Sequence, residues 1–447
     1  MKRLKIITTI VFSTISFNSV YSQETMTLKQ CMEYAIENNT KIKSSIETTN
    51  QSQIERRDAI LSAFTPSITA SFSEEYTNGR TPDPETNTYT DIKMFQDAYQ
   101  LNASIILFDG FRAVNNLKIS KTAIKMGKSN EEQQTQSICL ATMEAYFNVV
   151  YYTKLTDIIK NQVANAEENV RKTKRERELS NKSEIDVLES ESQLTELEYK
   201  LVNTQNLANN EMIKLKDVMF YPIEKQLNVD TSITGFSQNL DLISAQEIAQ
   251  YAKENLPEIE TYKYQMEKAE LTYKTTKWQI LPSLQLNAGW YSYHSIIPEF
   301  RENEISFSKQ IKNNGKKYIG IGLTIPIFNR LSKFSNISKA KSQYKIATYE
   351  FDEKQKEIEN EVYRAIDDKN GAEKSMLQAK KMAEYQHKTF EINKKKYENG
   401  MISALEFNIA NEKYLEANAS YLNTLLIFYI KNSIVKYYQG TNYINQL

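Results

Sequence analysis

Any chemistry in this 447-residue chain would have to come from two histidines, two cysteines and its carboxylates. His294 falls at the end of a strand-like stretch and His387 deep in a helical one, so the two imidazoles share no local frame. Neither an HExxH pair, which would set two imidazoles on one helix face for zinc, nor a CxxC, a GxSxG elbow or a Walker A loop occurs. Gly315-Lys316 lacks the upstream glycine and following Ser/Thr of a phosphate cradle. His294 reads as a loop or interface residue rather than a metal ligand. Cys31 and Cys139 admit two readings, a disulfide in an oxidising compartment or two separate helix-packing residues. No catalytic, cofactor-binding or metal-binding set emerges, and an enzyme is the least supported class.

The remaining charge is spread evenly. Lys plus Arg number 56 and Asp plus Glu 56, a balance that argues against a nucleic-acid binder. Two basic runs, Arg171 to Arg177 and Lys394 to Lys396, suit the C-terminal ends of long helices, where they favour the helix dipole. A mean hydropathy of −0.57 is too polar for a bundle of membrane helices. Only 11 Gly and 8 Pro occur, about 4% of the chain against roughly 12% in average usage, which implies long uninterrupted elements. Residues 1–22 have a basic start (Lys2, Arg3, Lys5), an apolar middle and a small-residue end, the pattern of a secretory signal peptide cleaved before Gln23.

The chain repeats itself once. TLKQCMEYAIENN at 27–39 returns as SAQEIAQYAKENL at 244–256, and Pro66-Ser67-Ile68 as Pro282-Ser283-Leu284. Phe108-Asp109 returns as Phe328-Asn329, and SNKSEIDVL at 180–188 as GMISALEFN at 400–408. Four landmarks in one order at offsets of 216 to 220 mark a duplicated half-molecule. The first repeat, 23–219, is expected to hold a helix (27–62), two strands (66–76 and 99–107), a long helix (110–178) and a last helix (182–219). A linker (220–243) leads to the second repeat, 244–438, with a helix (244–281), strands (283–293 and 317–326), a long helix (330–398) and a last helix (402–438). Residues 439–447 form a tail.

Ile337, Ala340, Tyr344, Ala347, Phe351, Ile358, Val362, Ala365, Ala372, Met376, Ala379 and Ala383 recur at threes, fours and sevens, a coiled-coil seam. A helix over 330–398 would be ~100 Å long and needs neighbours to cover that stripe. The strands alternate. Ile68, Ala70 and Phe72 interleave with Ser and Thr, and Ile319, Ile321 and Leu323 with Gly and Thr. Stretches of about ten residues, apolar on one face and ending in aromatics, are the pattern of outer-membrane barrel strands. Four strands cannot enclose water, and open edges in lipid cost several kcal/mol per unpaired group. The sheet must therefore close with other copies, and three would give twelve strands.

These features together resemble the TolC-type outer-membrane efflux duct family, most specifically through TLKQCMEYAIENN, the strand exits ILFDGF and IPIFNR, and two tip motifs. In the second tip, Tyr397-Glu398-Asn399-Gly400 precedes Glu406. In the first, Leu179-Ser180 precedes Asp186. The resemblance implies a mainly α fold with membrane β, in which a homotrimer forms a twelve-stranded β-barrel in outer-membrane lipid. A long α-helical coiled-coil barrel continues it through the periplasm. It implies no enzymatic activity and no cofactor. It also implies a passive exit duct for small molecules, working with a periplasmic adaptor and an inner-membrane pump. The alternatives are the outer component of a type I protein secretion system and, with less support, a coiled-coil surface protein.

By position, the resemblance makes Asp186, Tyr397 and Glu406 the periplasmic gate. Leu179, Ser180, Ser183, Gly400, Met401 and Ser403 become the adaptor-contacting tips. Three copies of one carboxylate around an axis would attract cations. Glu406 can equally be a helix-start residue that favours the dipole. Ile402 and Ile409 stand where other members carry polar residues.

Overall fold

A computed structural model describes residues 25–82, 87–232, 244–298 and 305–447. The expected signal segment and residues 233–243 of the expected linker lie outside the described residues. The chain opens on helix α1 (Leu28–Asn38), started by a capping box: the Thr27 backbone N–H donates to Gln30 Oε1 at 2.8 Å. The second half opens on α5 (Ala245–Asn255) with the same device, Ser244 reciprocated by Glu247. The repeated motif is thus a repeated helix start.

The single helix expected over 27–62 is two helices. At Asn39 the backbone turns extended, and Asn39 Oδ1 caps α2 (Thr40–Phe64) by accepting from the Lys41 N–H at 2.8 Å. Its Nδ2 donates to the Val218 carbonyl at 2.8 Å, which fixes the break against the rest of the molecule. The matching break lies at Leu256, where Pro257 begins α6 (Pro257–Trp278).

Strands β1 (Ser67–Pro82), β2 (Tyr89–Phe108), β3 (Ser283–Ile296) and β4 (Lys316–Thr324) form one antiparallel sheet in that order. The two halves meet at β2–β3, and β1 and β4 are left as edges. The first hairpin is longer than alternation suggested: β1 runs on to Pro82, six residues past its expected end, and β2 starts ten residues upstream of position 99. Polar side chains there broke the apolar pattern without breaking the ladder. A short helix, α7 (Phe307–Asn313), stands between β3 and β4 and had no periodic signal.

Below the sheet run α3 (Arg112–Glu178) and α8 (Ser332–Glu398), 67 residues each and roughly 100 Å long. They fold back as α4 (Glu184–Met219) and α9 (Ala404–Tyr438), giving two long hairpins. The spaced stripe on α8 is covered: Ala347, Ile358, Val362, Ala365, Met376, Ala379 and Ala383 are all buried. The duplication is most visible in the backbone. Positive φ occurs at Gly110 and Arg330, Phe111 and Leu331, Ser180 and Gly400, Phe220 and Gly440, each pair 220 residues apart. Turns needing a left-handed residue recur at one offset although the residue filling them changed.

The main core gathers where the shorter helices wrap the hairpins. Met32, Met143, Leu215, Met219, Ile259, Ile358 and Val362 are fully buried there. Cys31 and Cys139 lie in the same core as free thiols, and burial pushes both up to about 12, so they are packing residues rather than a disulfide. The tail is folded, not loose: a 3-10 turn at Tyr443–Gln446 stacks Tyr443 on Tyr437 at 4.9 Å. The Tyr443 N–H donates to Gln136 Oε1 at 3.1 Å.

Gly440 turns the chain into this tail at φ +97, with the Tyr251 ring packed where a Cβ would stand. Gly440→Ala should lower the thermal midpoint by several degrees, since a strained left-handed alanine and a displaced ring each cost about 1–2 kcal/mol. An unchanged midpoint in thermal denaturation would show that the tail does not hold the core.

Candidate functional site

The register of the sheet sorts its side chains onto two unlike faces. One carries Ile68, Ala70 and Phe72 of β1, Tyr99, Leu101, Ala103 and Ile105 of β2, Leu284, Leu286, Ala288 and Trp290 of β3, and Ile319, Ile321 and Leu323 of β4. The band from Leu284 to the level of Phe72 and Tyr99 is roughly 27 Å along the strands, close to the ~25 Å apolar belt of a membrane barrel. Aromatics rim it: Phe108, Phe111 and Trp278 at the helix end, Phe72, Tyr99 and Phe307 at the other. Ile319 is 76% exposed on an edge strand, so this face has no cover within the chain.

The opposite face is mostly polar over the same height, broken by Ile106 of β2 and by Lys316 at the end remote from the helices. Thr69, Asn102, Gly289 and Tyr318 form one row across the four strands. Tyr318 lies over Gly289 and donates its hydroxyl to Asn102 Oδ1 at 2.6 Å, and Gln100 Nε2 donates to the same oxygen at 3.2 Å. Any side chain at 289 would collide with the Tyr318 ring, its Cβ falling 2.7 Å from the ring carbon.

At the far end, both hairpin tips are built alike. Gly400 at φ +71 lets the Met401 N–H reach the Lys396 carbonyl at 2.8 Å, and Ser180 at φ +65 lets the Asn181 N–H reach Glu176 at 2.8 Å. Each return helix then starts on a capping box. The Ser183 N–H and hydroxyl donate to Asp186 Oδ2 at 2.8 and 2.7 Å, and Asp186 N–H donates back to Ser183 Oγ at 3.2 Å. Ser403 and Glu406 repeat this at 2.9, 3.1 and 3.2 Å. These hydrogen bonds from the serine backbone and hydroxyl hold both carboxyls below the usual carboxylate range. Within the chain, Asp186 and Glu406 are therefore helix-start residues, each with a second oxygen outside its cap.

Tyr397, a gate residue by resemblance, donates its hydroxyl within the chain to Asn169 Oδ1 on α3 at 3.1 Å. Its ring stacks on Phe407 at 4.9 Å, and Lys182 Nζ lies 5.8 Å from its centre. Lys182 also stands 3.8 Å from Asp186 Oδ1, so the lysine links the tyrosine and the acid. Leu179 and Met401 are 65% and 72% exposed at the two ends, beside exposed Ser180 and Gly400, while the hydroxyls of Ser183 and Ser403 are engaged in the caps. The basic run of the first tip does more than oppose a dipole: Arg177 pairs with Glu184 and Lys174 with Glu191 across the hairpin, both at 2.6 Å.

Between the hairpins, just above the tips, lies a cavity of about 450 Å³ lined by Phe390, Tyr397 and Phe407 on one side and Asn165, Asn169 and Gln193 on the other. Asn411, 5% exposed, borders it with an Oδ1 that has no partner. Lys200 spans the seam to Glu412 at 3.1 Å. Asn169, Lys182 and the aromatic ladder were not picked out from sequence; the seven-residue spacing of Phe390 and Tyr397, and of Phe407 and Tyr414, was the available signal. His387 stacks on Tyr414, and His294 lies within β3, not a loop, with Nδ1 3.2 Å from Asp97 Oδ2. Among the described residues no cluster that could hold a metal occurs, and no helix is long and apolar enough to cross a membrane.

Residues 248–426 match the family model for outer membrane efflux protein. The chain is 22% identical over 304 residues to the outer membrane efflux protein BepC of Brucella suis biovar 1 (strain 1330), a match spanning 68% of this chain and 61% of BepC. In fold it is similar to the outer-membrane channel OprN, with TM-score 0.75 at 15% identity over 93% of this chain and 90% of that one. The CmeC outer membrane channel of Campylobacter jejuni gives TM-score 0.74 at 16% identity over 94% and 85%. The resemblance read from the motifs is borne out.

Tyr397→Phe keeps the ring stack and removes the bond to Asn169. Hydrogen exchange at the ends of α3 and α8 should speed up several-fold, as expected for a loss of about 1 kcal/mol, and an unchanged rate would remove the bond from the tip's stability. Acid should act on the caps with a defined sign. Because both carboxyls are lowered in the folded state, their contribution is complete above about pH 4, the unfolded values, and is lost as pH falls through the folded ones. Exchange of the first turns of α4 and α9 should be flat from pH 7 to 5 after correction for intrinsic rates and should rise only below pH 4. Loosening near pH 6 would contradict the capping assignment.

Proposed function

We propose that this chain, which resembles the TolC-type outer-membrane efflux family, is the exit duct of a tripartite efflux system, with its sheet in the outer membrane and its helices in the periplasm. Three copies close a twelve-stranded barrel, and small molecules leave passively through it. One observation carries this reading: a four-stranded sheet, apolar on one face and mostly polar on the other, ends in two edge strands and continues into hairpins roughly 100 Å long. Closed on itself, such a sheet presents its apolar face to lipid and its Ser, Thr, Asn and Gln face to water. A largely polar lining with few charges suits passage of varied solutes, and the energy must come from an inner-membrane pump reached through a periplasmic adaptor.

The tips divide two tasks in this reading. Leu179, Ser180, Gly400 and Met401 are the exposed contacts for the adaptor, with Ser183 and Ser403 shaping the helix starts behind them. Asp186 and Glu406 each keep one oxygen outside their caps, and in a trimer these oxygens would ring the axis as the constriction. Tyr397, tied to Asn169 and Lys182, holds one hairpin against the other, so opening requires that tie to break.

The test is mass and conductance of the protein purified from outer membrane. A three-chain assembly with low basal conductance in planar bilayers is expected, and Asp186→Ala or Glu406→Ala should raise that conductance. A monomer without conductance would overturn the duct, whereas a conducting trimer indifferent to both substitutions would overturn only the gate.

A further inference from the structure

The helix that sequence reading missed has a job that neither barrel closure nor the tips explain. β4 starts at Lys316 opposite Tyr291, so β3 runs on to Ile296 with no strand on that side. α7 takes the place of the missing strand. Gln310 acts as a stand-in peptide: its Oε1 accepts from the Ser295 N–H at 3.0 Å and its Nε2 donates to the Ser295 carbonyl at 3.1 Å. Asn314 Nδ2 donates to the Tyr293 carbonyl at 2.9 Å, and Ser292 donates its hydroxyl to the Ile311 carbonyl at 2.7 Å. Phe307 packs against Tyr99 and His294, which lie on the apolar face of the sheet. Phe307, Gln310, Ile311 and Asn314, at helical spacing, thus face the sheet, and a seven-residue helix with little stability of its own is fixed in one place.

The turn that faces away carries Lys309 and Lys312, one turn apart and exposed. Lys317 follows on β4, on the same face as Trp290, directly opposite it in the register. Between Ile305 and Thr324 there are four lysines and no acidic residue. Among the described residues none of these lysines makes an ion pair. Asp97, on the same face of β2, is paired with His294 at 3.2 Å. Three exposed cations therefore stand at the rim of the apolar band, beside Tyr99, Trp290 and Phe307. All sit at the end of the sheet remote from the helices.

We infer that α7 and the start of β4 form a seat for the phosphate groups of an outer-leaflet lipid, with Lys309, Lys312 and Lys317 as its cations. The inference rests on the reading that the sheet spans the outer membrane with the helices in the periplasm, which puts this rim at the outer leaflet. Aromatic side chains settle at the headgroup level, and a lysine stem can lie along apolar surface while its ammonium reaches the phosphates. A lysine at an anionic membrane surface contributes about a fivefold gain in binding, so three together give on the order of a hundredfold. The committed occupant is a phosphorylated glycolipid whose acyl chains lie on the apolar face, rather than free phosphate.

The test uses the full chain as purified in detergent, with bis-phosphorylated lipid A, its dephosphorylated form and inorganic pyrophosphate as probes, read by native mass spectrometry. Retention of bis-phosphorylated lipid A is expected, with neither of the other two bound. The K309Q/K312Q/K317Q variant should bind it about a hundredfold more weakly, and the matching Lys→Arg variant should restore binding. Equal binding by the Gln variant, equal retention of dephosphorylated lipid, or tight binding of pyrophosphate alone would each overturn the seat. Bilayer conductance separates this from the parent reading: a variant that conducts normally but binds lipid like the unmodified protein sinks the seat and leaves the duct standing. Absence of conductance in the unmodified protein sinks the duct.

Discussion

Backbone hydrogen bonding at two strand edges governs the rest of this molecule. β1 and β4 each offer a row of N–H and C=O groups to whatever lies beside them, and their side chains on one face are apolar and uncovered. In water such edges invite aggregation, and in lipid each unpaired group costs several kcal/mol. In the proposed assembly they pair with copies of the same chain. Such closure would fix where the helices stand, because all four strands join helices at the same end of the sheet. The chain also shows how it treats an edge that another strand does not cover: above Tyr291, the amide of Gln310 fills in for the absent neighbour of β3.

Duplication provides the parts and divergence gives them different work. Positive-φ turns recur 220 residues apart, so both halves bend at the same joints. Glycine fills the left-handed position at 400 and 440, whereas Ser180 and Phe220 occupy it in the first half at a conformational cost of about 1–2 kcal/mol each. The hairpins differ inside as well. The second is packed at its tip by stacked Tyr397, Phe407, Phe390 and Tyr414; the first relies on Val170, Val187 and the ion pairs of Lys174 and Arg177. An aromatic wall facing an amide-lined one leaves a polar cavity and an unpartnered Asn411 oxygen between them, a seam less completely packed than the core near Met143.

Much of this was legible in the residues. Period-two alternation located four strands because one face of each is apolar and the other mostly polar, and the seven-residue seam on α8 emerged because a helix of that length has one buried stripe. Local chemistry was legible as well: Thr27 to Gln30 and Ser403 to Glu406 are capping boxes on sight. What escaped was set by tertiary partners. Asn39 breaks a helix only because Val218 receives its amide, and α7 forms only because β3 has a bare edge. The partner of Tyr397 was likewise beyond the sequence: the α3 face presented to its hydroxyl carries Asn169, with Lys182 between the ring and Asp186.

The claim on which everything else rests is that the edges of β1 and β4 are paired in the assembled protein. Amide hydrogen exchange resolved along Ser67–Pro82 and Lys316–Thr324 in the purified assembly tests it directly. Protection of the outward-pointing amides of β4 equal to that of β2 and β3 is expected. Exchange of those amides at the rate of an open strand, with β2 and β3 protected, would mean that the sheet ends within a single chain and that no barrel forms.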